Sequence, residues 1–143
     1  MFASDKARIG DVHSNFGLLP GLGGSVRLVR AVGPQRARFL MFSGDMITAA
    51  EAADWGLVAR TFDGAVLESE VQAFAERLTG KSRAGLLRMR QLADDGFDLP
   101  IERAMRNERV VYREYYQRPE LAEGQDAFRN KRTPDFRQFW TQD

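Results

Sequence analysis

The fold of this chain is decided at a glycine-rich turn near its start, which reads Gly17-Leu18-Leu19-Pro20-Gly21-Leu22-Gly23-Gly24-Ser25. Apolar residues then recur at helical spacing as far as Val32, and Gly33-Pro34 ends that pattern. The turn therefore predicts a helix N-terminus. A phosphate loop would use such backbone N–H groups, but it would also need Gly-Lys-Ser/Thr or a third spaced glycine, and the chain has neither here. A tight turn that needs positive φ before a helix is the plain structural interpretation.

Strand signals are sparse along the rest of the chain. Ala7, Ile9 and Val12 indicate a first short strand, and residues 57–62 indicate a second one, followed by an Asp63-Gly64 turn. Two strands cannot form a self-sufficient sheet. We therefore expect them either to pair with each other or to find sheet partners in another chain.

Helical signals dominate. Thr48 and Glu51 have the spacing of a capping box, which predicts a short helix from there to Trp55, with Gly56 as its C-terminal stop. Further helices are expected over residues 26–32, 37–42, 66–78, 83–93, 101–116 and 121–129. The expected class is α/β and helix-rich.

Composition excludes several kinds of protein. The 143 residues are 43% hydrophobic and 29% charged with a net charge of +1, so neither disorder nor a nucleic-acid or anionic-membrane partner is expected. Cysteine is absent and histidine occurs once, which excludes a thiolate zinc site and a multi-histidine metal site. No apolar run approaches the roughly 20 residues that span a bilayer, and the first residues do not resemble a signal peptide. We therefore expect a cytoplasmic protein without a metal.

The glycine turn is one of several motifs in a recognisable order. It is followed by Ser43-Gly44-Asp45-Met46-Ile47-Thr48-Ala49-Ala50-Glu51-Ala52, by Gly56-Leu57-Val58, by Glu108, and by Glu123-Gly124-Gln125-Asp126-Ala127-Phe128 with Lys131-Arg132. In order and spacing, nearly the whole chain resembles the enoyl-CoA hydratase/isomerase (crotonase) superfamily. The resemblance implies the C-terminal part of a crotonase spiral core, over residues 1–62, followed by a helical trimerisation region over residues 63–143.

Members of this family are about twice as long, so the resemblance implies that this sequence is a C-terminal half. The other half would carry both backbone N–H groups of the oxyanion hole, the first catalytic carboxylate and most of the CoA-binding loops. Preorganised donors of that kind are often the largest catalytic contribution. The chain alone is therefore expected to be inactive, although the family activity acts on acyl-CoA thioesters by stabilising an enolate and needs no further cofactor.

His13 and Gly21 are the catalytic candidates that the resemblance implies. Counting back from Pro20-Gly21, hydratases of the family carry a glutamate where this chain has His13, and that glutamate helps to position and activate water. Histidine can serve as acid or base near neutral pH, and in an extended backbone Asp11 would share its face and could pair with it. A hydrogen-bonded structural histidine is the alternative. For Gly21, the resemblance implies a backbone N–H that faces the reacting centre.

Phe128 and Lys131 are the substrate-binding candidates. In the family the matching helix packs on a neighbouring subunit, where such residues line the acyl-CoA pocket, and a lysine suits a CoA phosphate. The alternative is a core phenylalanine and a solvated lysine. Family members form trimers, often paired into hexamers, so an exposed apolar face on the helices would be an interface between subunits. The helix over residues 101–116 carries such a stripe, with Met105, Tyr112, Tyr115 and Tyr116, for which packing is the expected role.

Two functions of different kinds stay open. The first is an acyl-CoA enzyme completed by a second half, and the second is a non-catalytic oligomerisation or interaction module derived from a crotonase. A nucleic-acid binder is a weaker third, because the arginines of the later helices alternate with acidic and apolar residues and form a solvated face.

Overall fold

A computed structural model describes residues 1–140 and shows a helix-rich α/β chain with two compact units. The first unit ends at Ala73 and the second begins at Phe74. Helix α3 (Leu67–Thr79) contains this division. The sequence predicted a boundary after residue 62, between the spiral-core part and the helical oligomerisation region. That boundary separates regions of different function, not compact units, so it stays a prediction.

Four short strands, rather than two, lie in the first unit. Strand β1 (Phe2–Ser4) pairs in parallel with β4 (Arg60–Phe62), and β2 (Arg8–Gly10) pairs antiparallel with β3 (Met46–Thr48). The expected pairing of the first strand signal with the second is therefore wrong, because the strand that contains Ile9 pairs with β3. Val12 lies outside any strand. Three-residue strands are too short to show alternation, which is why β1 and β3 gave no clear signal.

Helix α1 (Gly24–Ser43) follows the glycine turn and is broken in its middle. Gly33 has φ 80° and ψ 163°, so the span consists of two helical segments, with Pro34 just after the break. Pro34 suits the start of the second segment because its φ is fixed and its missing N–H would be unpaired there. The sequence predicted this interruption, and the structure confirms it.

The core of the first unit joins the strands to the second segment of α1 and to helix α2 (Ala49–Asp54). Its buried members are small or aliphatic: Ala3, Leu40, Ile47, Ala49, Ala52 and Val58. The capping box of α2 is confirmed. Thr48 Oγ1 accepts the Glu51 N–H at 3.1 Å, and a Glu51 carboxylate oxygen accepts the Thr48 N–H at 2.8 Å, which lowers the pKa of Glu51. The left-handed Gly56 follows.

The second unit contains helices α4 (Arg83–Phe97), α5 (Ile101–Tyr115) and α6 (Pro119–Arg129). Helices α4 and α5 pack on each other. At the start of α4, the buried Ser82 caps the helix by accepting the Gly85 N–H at 3.0 Å, and Tyr115 of α5 donates its hydroxyl proton to the same Ser82 oxygen at 3.0 Å. Tyr115 therefore has the packing role that was expected.

Several other apolar and aromatic residues of α5 do not pack inside this unit. Met105, Tyr112 and Tyr116 are each more than half exposed, and so is Ile101. These four residues lie on one face of the helix at spacings of four, seven and four. We call them the α5 stripe. Met105, Tyr112 and Tyr116 therefore do not pack within this chain, and their expected packing at an interface between subunits stays a prediction.

Candidate active site

Asp11 and His13 form a close pair just after strand β2. Asp11 Oδ1 accepts the backbone N–H of His13 at 3.2 Å and lies 2.7 Å from the Nδ1 of its ring. The Asp11 side chain is 12% exposed and the His13 side chain 45%. The carboxylate thus lies behind the ring, and the ring faces outward.

The pairing of Asp11 with His13 was expected, but not its geometry. The sequence expectation assumed an extended backbone, whereas His13 begins a short 3-10 helix, His13–Phe16. Asp11 reaches His13 through an Asx turn, in which an aspartate accepts the N–H two residues ahead. The Nε2 of His13 has no hydrogen-bond partner among residues 1–140. It is therefore available to a ligand.

Contacts on either side of His13 hold this short helix. The His13 carbonyl accepts the Leu18 N–H at 3.0 Å, and the Asn15 side chain donates its Nδ2–H to the Gly44 carbonyl at 3.1 Å. Gly44 ends α1 in a left-handed conformation, φ 67°. The Asn15–Gly44 hydrogen bond therefore fixes the short helix of His13 against the C-terminal end of α1. The two residues are 29 positions apart, so the periodicity of the sequence does not predict this contact.

The glycine turn presents free backbone donors before α1. The N–H groups of Gly21, Leu22 and Gly23 have no partner among the described residues, whereas the Gly24 N–H is held by the Gly21 carbonyl at 2.9 Å. The left-handed backbone falls on Leu22, φ 52°, and Gly23, φ 85°, and not on Gly21. The predicted turn with positive φ before a helix is therefore confirmed at Leu22 and Gly23, but it does not explain the glycine at position 21. A Cβ there would meet nothing within 4 Å.

Helix α6 presents the second pair of candidates at its C-terminal end. Phe128 is 86% exposed, so the alternative of a core phenylalanine is wrong, and Lys131 is exposed as well. The helix ends in a Schellman motif: the Arg132 N–H donates to the Ala127 carbonyl at 3.0 Å and the Lys131 N–H to the Phe128 carbonyl at 3.3 Å. Lys131 occupies the left-handed position, φ 52°, at which glycine is usual.

A cluster of charged side chains holds this turn closed. Arg132 contacts Glu123 through Nη1 at 2.6 Å and Nη2 at 2.8 Å, and Nη2 also contacts Asp126 at 2.6 Å. Glu123 accepts the Asp135 N–H at 2.7 Å. These hydrogen bonds, those from Arg132 foremost, lower the pKa of Glu123 from 4.5 to about 2, and they also lower the pKa of Asp126. Together, the side chains of Glu123, Asp126 and Arg132 and the backbone N–H of Asp135 hold the turn after α6.

The four predicted residues fall into two pairs. His13 and Gly21 lie on one segment of the first unit, and Phe128 and Lys131 lie at the end of α6 in the second unit. Asn15 and Asp135 were not anticipated from the sequence. An asparagine two residues after His13 suits a turn, which is a weak signal. The link from Asp135 to Glu123 spans 12 residues and leaves no pattern in the sequence.

The described part of the chain offers neither a metal site nor a membrane span. No group of three or more histidine, cysteine, aspartate or glutamate residues there could hold a metal ion. No helix within residues 1–140 is both long and apolar enough to cross a membrane.

Comparison with known proteins gives one family. The family model described as enoyl-CoA hydratase/isomerase matches residues 1–139. The chain is 33% identical over 136 residues to "Probable enoyl-CoA hydratase echA8" of Mycobacterium leprae, which covers 95% of this chain and 53% of that protein. It is also 33% identical to the crotonyl-CoA hydratase of Syntrophomonas wolfei, over 94% of this chain and 52% of that protein.

Solved structures give the same fold. An enoyl-CoA hydratase from Bacillus anthracis superposes with a TM-score of 0.90 at 28% identity, over 93% of this chain and 52% of that one. The helix-rich α/β architecture is therefore that of crotonase-fold proteins, as the sequence predicted. The chain spans about half the length of the curated relatives it matches.

Proposed function

The chain belongs to the enoyl-CoA hydratase/isomerase family, and we propose that it forms one half of an enzyme that acts on acyl-CoA thioesters by stabilising an enolate. In this proposal the chain is the C-terminal half: residues 1–62 end the spiral core and residues 63–143 form the helical oligomerisation region. The order of its motifs supports this assignment. So do the two-stranded sheets, since strand pairs of this length are marginally stable unless further strands or helices cover them.

In the first unit, we propose that His13 supplies acid or base chemistry and that the Gly21 N–H faces the reacting centre. The support is that His13 is 45% exposed, that its Nε2 and the Gly21 N–H have no hydrogen-bond partner among residues 1–140, and that a Cβ at Gly21 would meet nothing within 4 Å. A glycine without positive φ or a close neighbour has no conformational reason to be there. Close approach of a ligand to the backbone is a reason that remains.

In the second unit, Phe128 and Lys131 are proposed to contact acyl-CoA, with the lysine beside a CoA phosphate. One observation carries this part: Lys131 holds a left-handed backbone at the position where glycine is favoured. A lysine at a position that strains its backbone points to a use for that side chain, here a positive charge on an exposed turn. The exposed ring of Phe128 lies one helical turn earlier and offers an apolar surface beside it.

The proposal has consequences for the chain as it stands. The substrate is the CoA thioester itself, and the reaction needs no other cofactor. Without the oxyanion donors of the other half, the pure 143-residue chain has no hydratase activity. Assembly into a homotrimer or hexamer, and a cytoplasmic location, stay predictions.

A non-catalytic oligomerisation module is the alternative, and the α5 stripe agrees with it as well as with an oligomeric enzyme. Four apolar or aromatic side chains stay exposed on one face of α5, as expected for a helix that docks on another protein surface. A module of this kind would associate with other chains but would not bind CoA.

Binding of CoA separates the two proposals. Titration calorimetry of the chain with CoA should show binding that is weakened by Lys131→Gln and less affected by Lys81→Gln, an exposed lysine of the same unit. Because most of the CoA-binding loops are proposed to belong to the other half, absence of binding by the natural chain removes Lys131 from the proposed CoA site of this half, and an oligomer in size-exclusion chromatography is then the result expected of the module. A robust rate of crotonyl-CoA hydration by the pure chain overturns the assignment as an incomplete half.

A further inference from the structure

The Asp11 carboxylate lies closer to the imidazole ring of His13 than to the backbone nitrogen of the same residue. Asp11 Oδ1 lies 2.7 Å from Nδ1, against 3.2 Å from the His13 backbone nitrogen. An Asx turn requires only the backbone contact. The ring contact is therefore an additional interaction, with the length of a charge-assisted hydrogen bond.

Burial separates the roles of the two side chains. Asp11 is 12% exposed, while 45% of the His13 side chain remains open to solvent. Within residues 1–140 no lysine or arginine forms an ion pair with Asp11. Besides the His13 backbone N–H, the carboxylate contacts the imidazole there, and Nδ1 must carry a proton to donate to it.

A proton on Nδ1 decides the state of the other ring nitrogen. A neutral imidazole carries one proton, so holding it on Nδ1 leaves a lone pair on Nε2. We infer that Asp11 is a positioning residue that holds neutral His13 in the tautomer protonated on Nδ1, so that Nε2 is presented outward as a proton acceptor. This inference deepens the proposed function and rests on it for the role of Nε2 toward substrate or water.

A histidine held in this tautomer can act as a proton acceptor at the position where hydratases of the family carry a glutamate. A carboxylate is an acceptor only, whereas a histidine in water can present either a donor or an acceptor. When Nδ1–H donates a hydrogen bond to Asp11, the Nε2 of His13 carries a lone pair and is an acceptor like a carboxylate oxygen. When Nε2 takes up a proton, the ring becomes an imidazolium whose charge the ionised Asp11 stabilises, as in the histidine–aspartate pair of serine hydrolases.

Nitrogen NMR of the full chain tests the tautomer directly. His13 is the single histidine of the sequence, so the ring signals of a 15N-labelled sample belong to it alone. At a pH where the ring is neutral, long-range 1H–15N correlations should show a protonated Nδ1 and an unprotonated Nε2 as the main form. A main form with the proton on Nε2 would overturn the inference.

Asp11→Asn is the test variant. The asparagine oxygen can still accept the His13 N–H and keep the turn, but as part of a neutral amide it is a weaker acceptor for Nδ1–H than the carboxylate. The share of the Nδ1-protonated form should fall below that of the natural chain. Asp5→Asn, at an exposed aspartate of the same unit, should leave the spectrum unchanged. An Asp11→Asn spectrum identical to that of the natural chain contradicts the inference.

Two additions keep the test decisive. Asp11→Ser, whose hydroxyl can also accept the turn hydrogen bond, replaces Asp11→Asn if circular dichroism shows that the asparagine variant is unfolded. Crotonyl-CoA is then added to the natural chain. Changed ring shifts would support the proposed role of Nε2 toward substrate, while the tautomer found without ligand decides the role of Asp11 independently.

Discussion

Arg132 holds Glu123 with both of its terminal nitrogens, Nη1 on Oε1 at 2.6 Å and Nη2 on Oε2 at 2.8 Å. The two residues are nine positions apart, one inside α6 and one beyond its end. Lys131 lies immediately before Arg132, in the left-handed turn that this pair closes. The ion pair is therefore a support for the candidate CoA-binding lysine, and it has consequences for stability and for binding.

Glu123→Gln should lower the melting temperature at pH 7 and weaken its dependence on acid. The folded-state pKa of Glu123 is lowered from 4.5 to about 2, chiefly by hydrogen bonds from Arg132. Its stabilisation is thus present above pH 4.5 and is lost as the pH falls towards 2, where the folded carboxylate takes up a proton. Thermal unfolding followed by circular dichroism at several pH values between 7 and 2 measures this.

The control for that experiment is Glu114→Gln, on the exposed surface of α5. Neutral surface changes of this kind usually alter stability little. Equal acid profiles for the two variants would contradict a role for the Glu123–Arg132 pair.

Lys131→Gly should stabilise the chain and impair CoA binding. Glycine adopts the left-handed conformation without the steric cost that a lysine bears, so we expect a gain of about 1 kcal/mol in the free energy of unfolding. Denaturant unfolding and CoA titration of the same sample measure both effects. Lys131→Gln keeps the strained backbone and isolates the loss of charge. Unchanged CoA affinity in both variants would remove Lys131 from the proposed site.

Gly44→Ala should destabilise the first unit more than Gly56→Ala. Both glycines have positive φ, 67° and 83°, so both substitutions bear a conformational cost of about 1 kcal/mol. A Cβ on Gly44 would in addition clash with the Asn15 side-chain oxygen, whereas one on Gly56 meets nothing within 4 Å. Adding Asn15→Ala should recover part of the Gly44→Ala loss in a double-mutant cycle. Equal losses for the two glycines would contradict the Asn15 contact.

Gly21→Ala should leave stability within about 0.5 kcal/mol of the natural chain, since its φ is not positive and no atom approaches a Cβ there. Gly23→Ala, at φ 85°, should lose about 1 kcal/mol. Thermal unfolding of both variants checks this difference. A large loss for Gly21→Ala would restore the conformational explanation and weaken its assignment as a ligand-facing backbone position.

The helices were predictable because their signals are local. The capping box of Thr48 and Glu51, the interruption at Gly33 and the start of α5 at Ile101 all depend on residues within a few positions of one another. The strands were not. Three residues such as Met46–Thr48 show no alternation, and their pairing with Arg8–Gly10 depends on a segment more than 30 residues away.

The candidate site divides in the same way. The family motifs named His13, Gly21, Phe128 and Lys131 from the sequence, because motif order is written along the chain. The tertiary structure decided that Phe128 is exposed, that Gly21 is not at a positive φ and that the Arg132 side chain holds the turn of Lys131. Local periodicity and capping need only neighbouring residues, so the sequence determined the helices and the family. Burial, ring contacts and backbone strain depend on which distant atoms meet, and only the folded chain brings those atoms together.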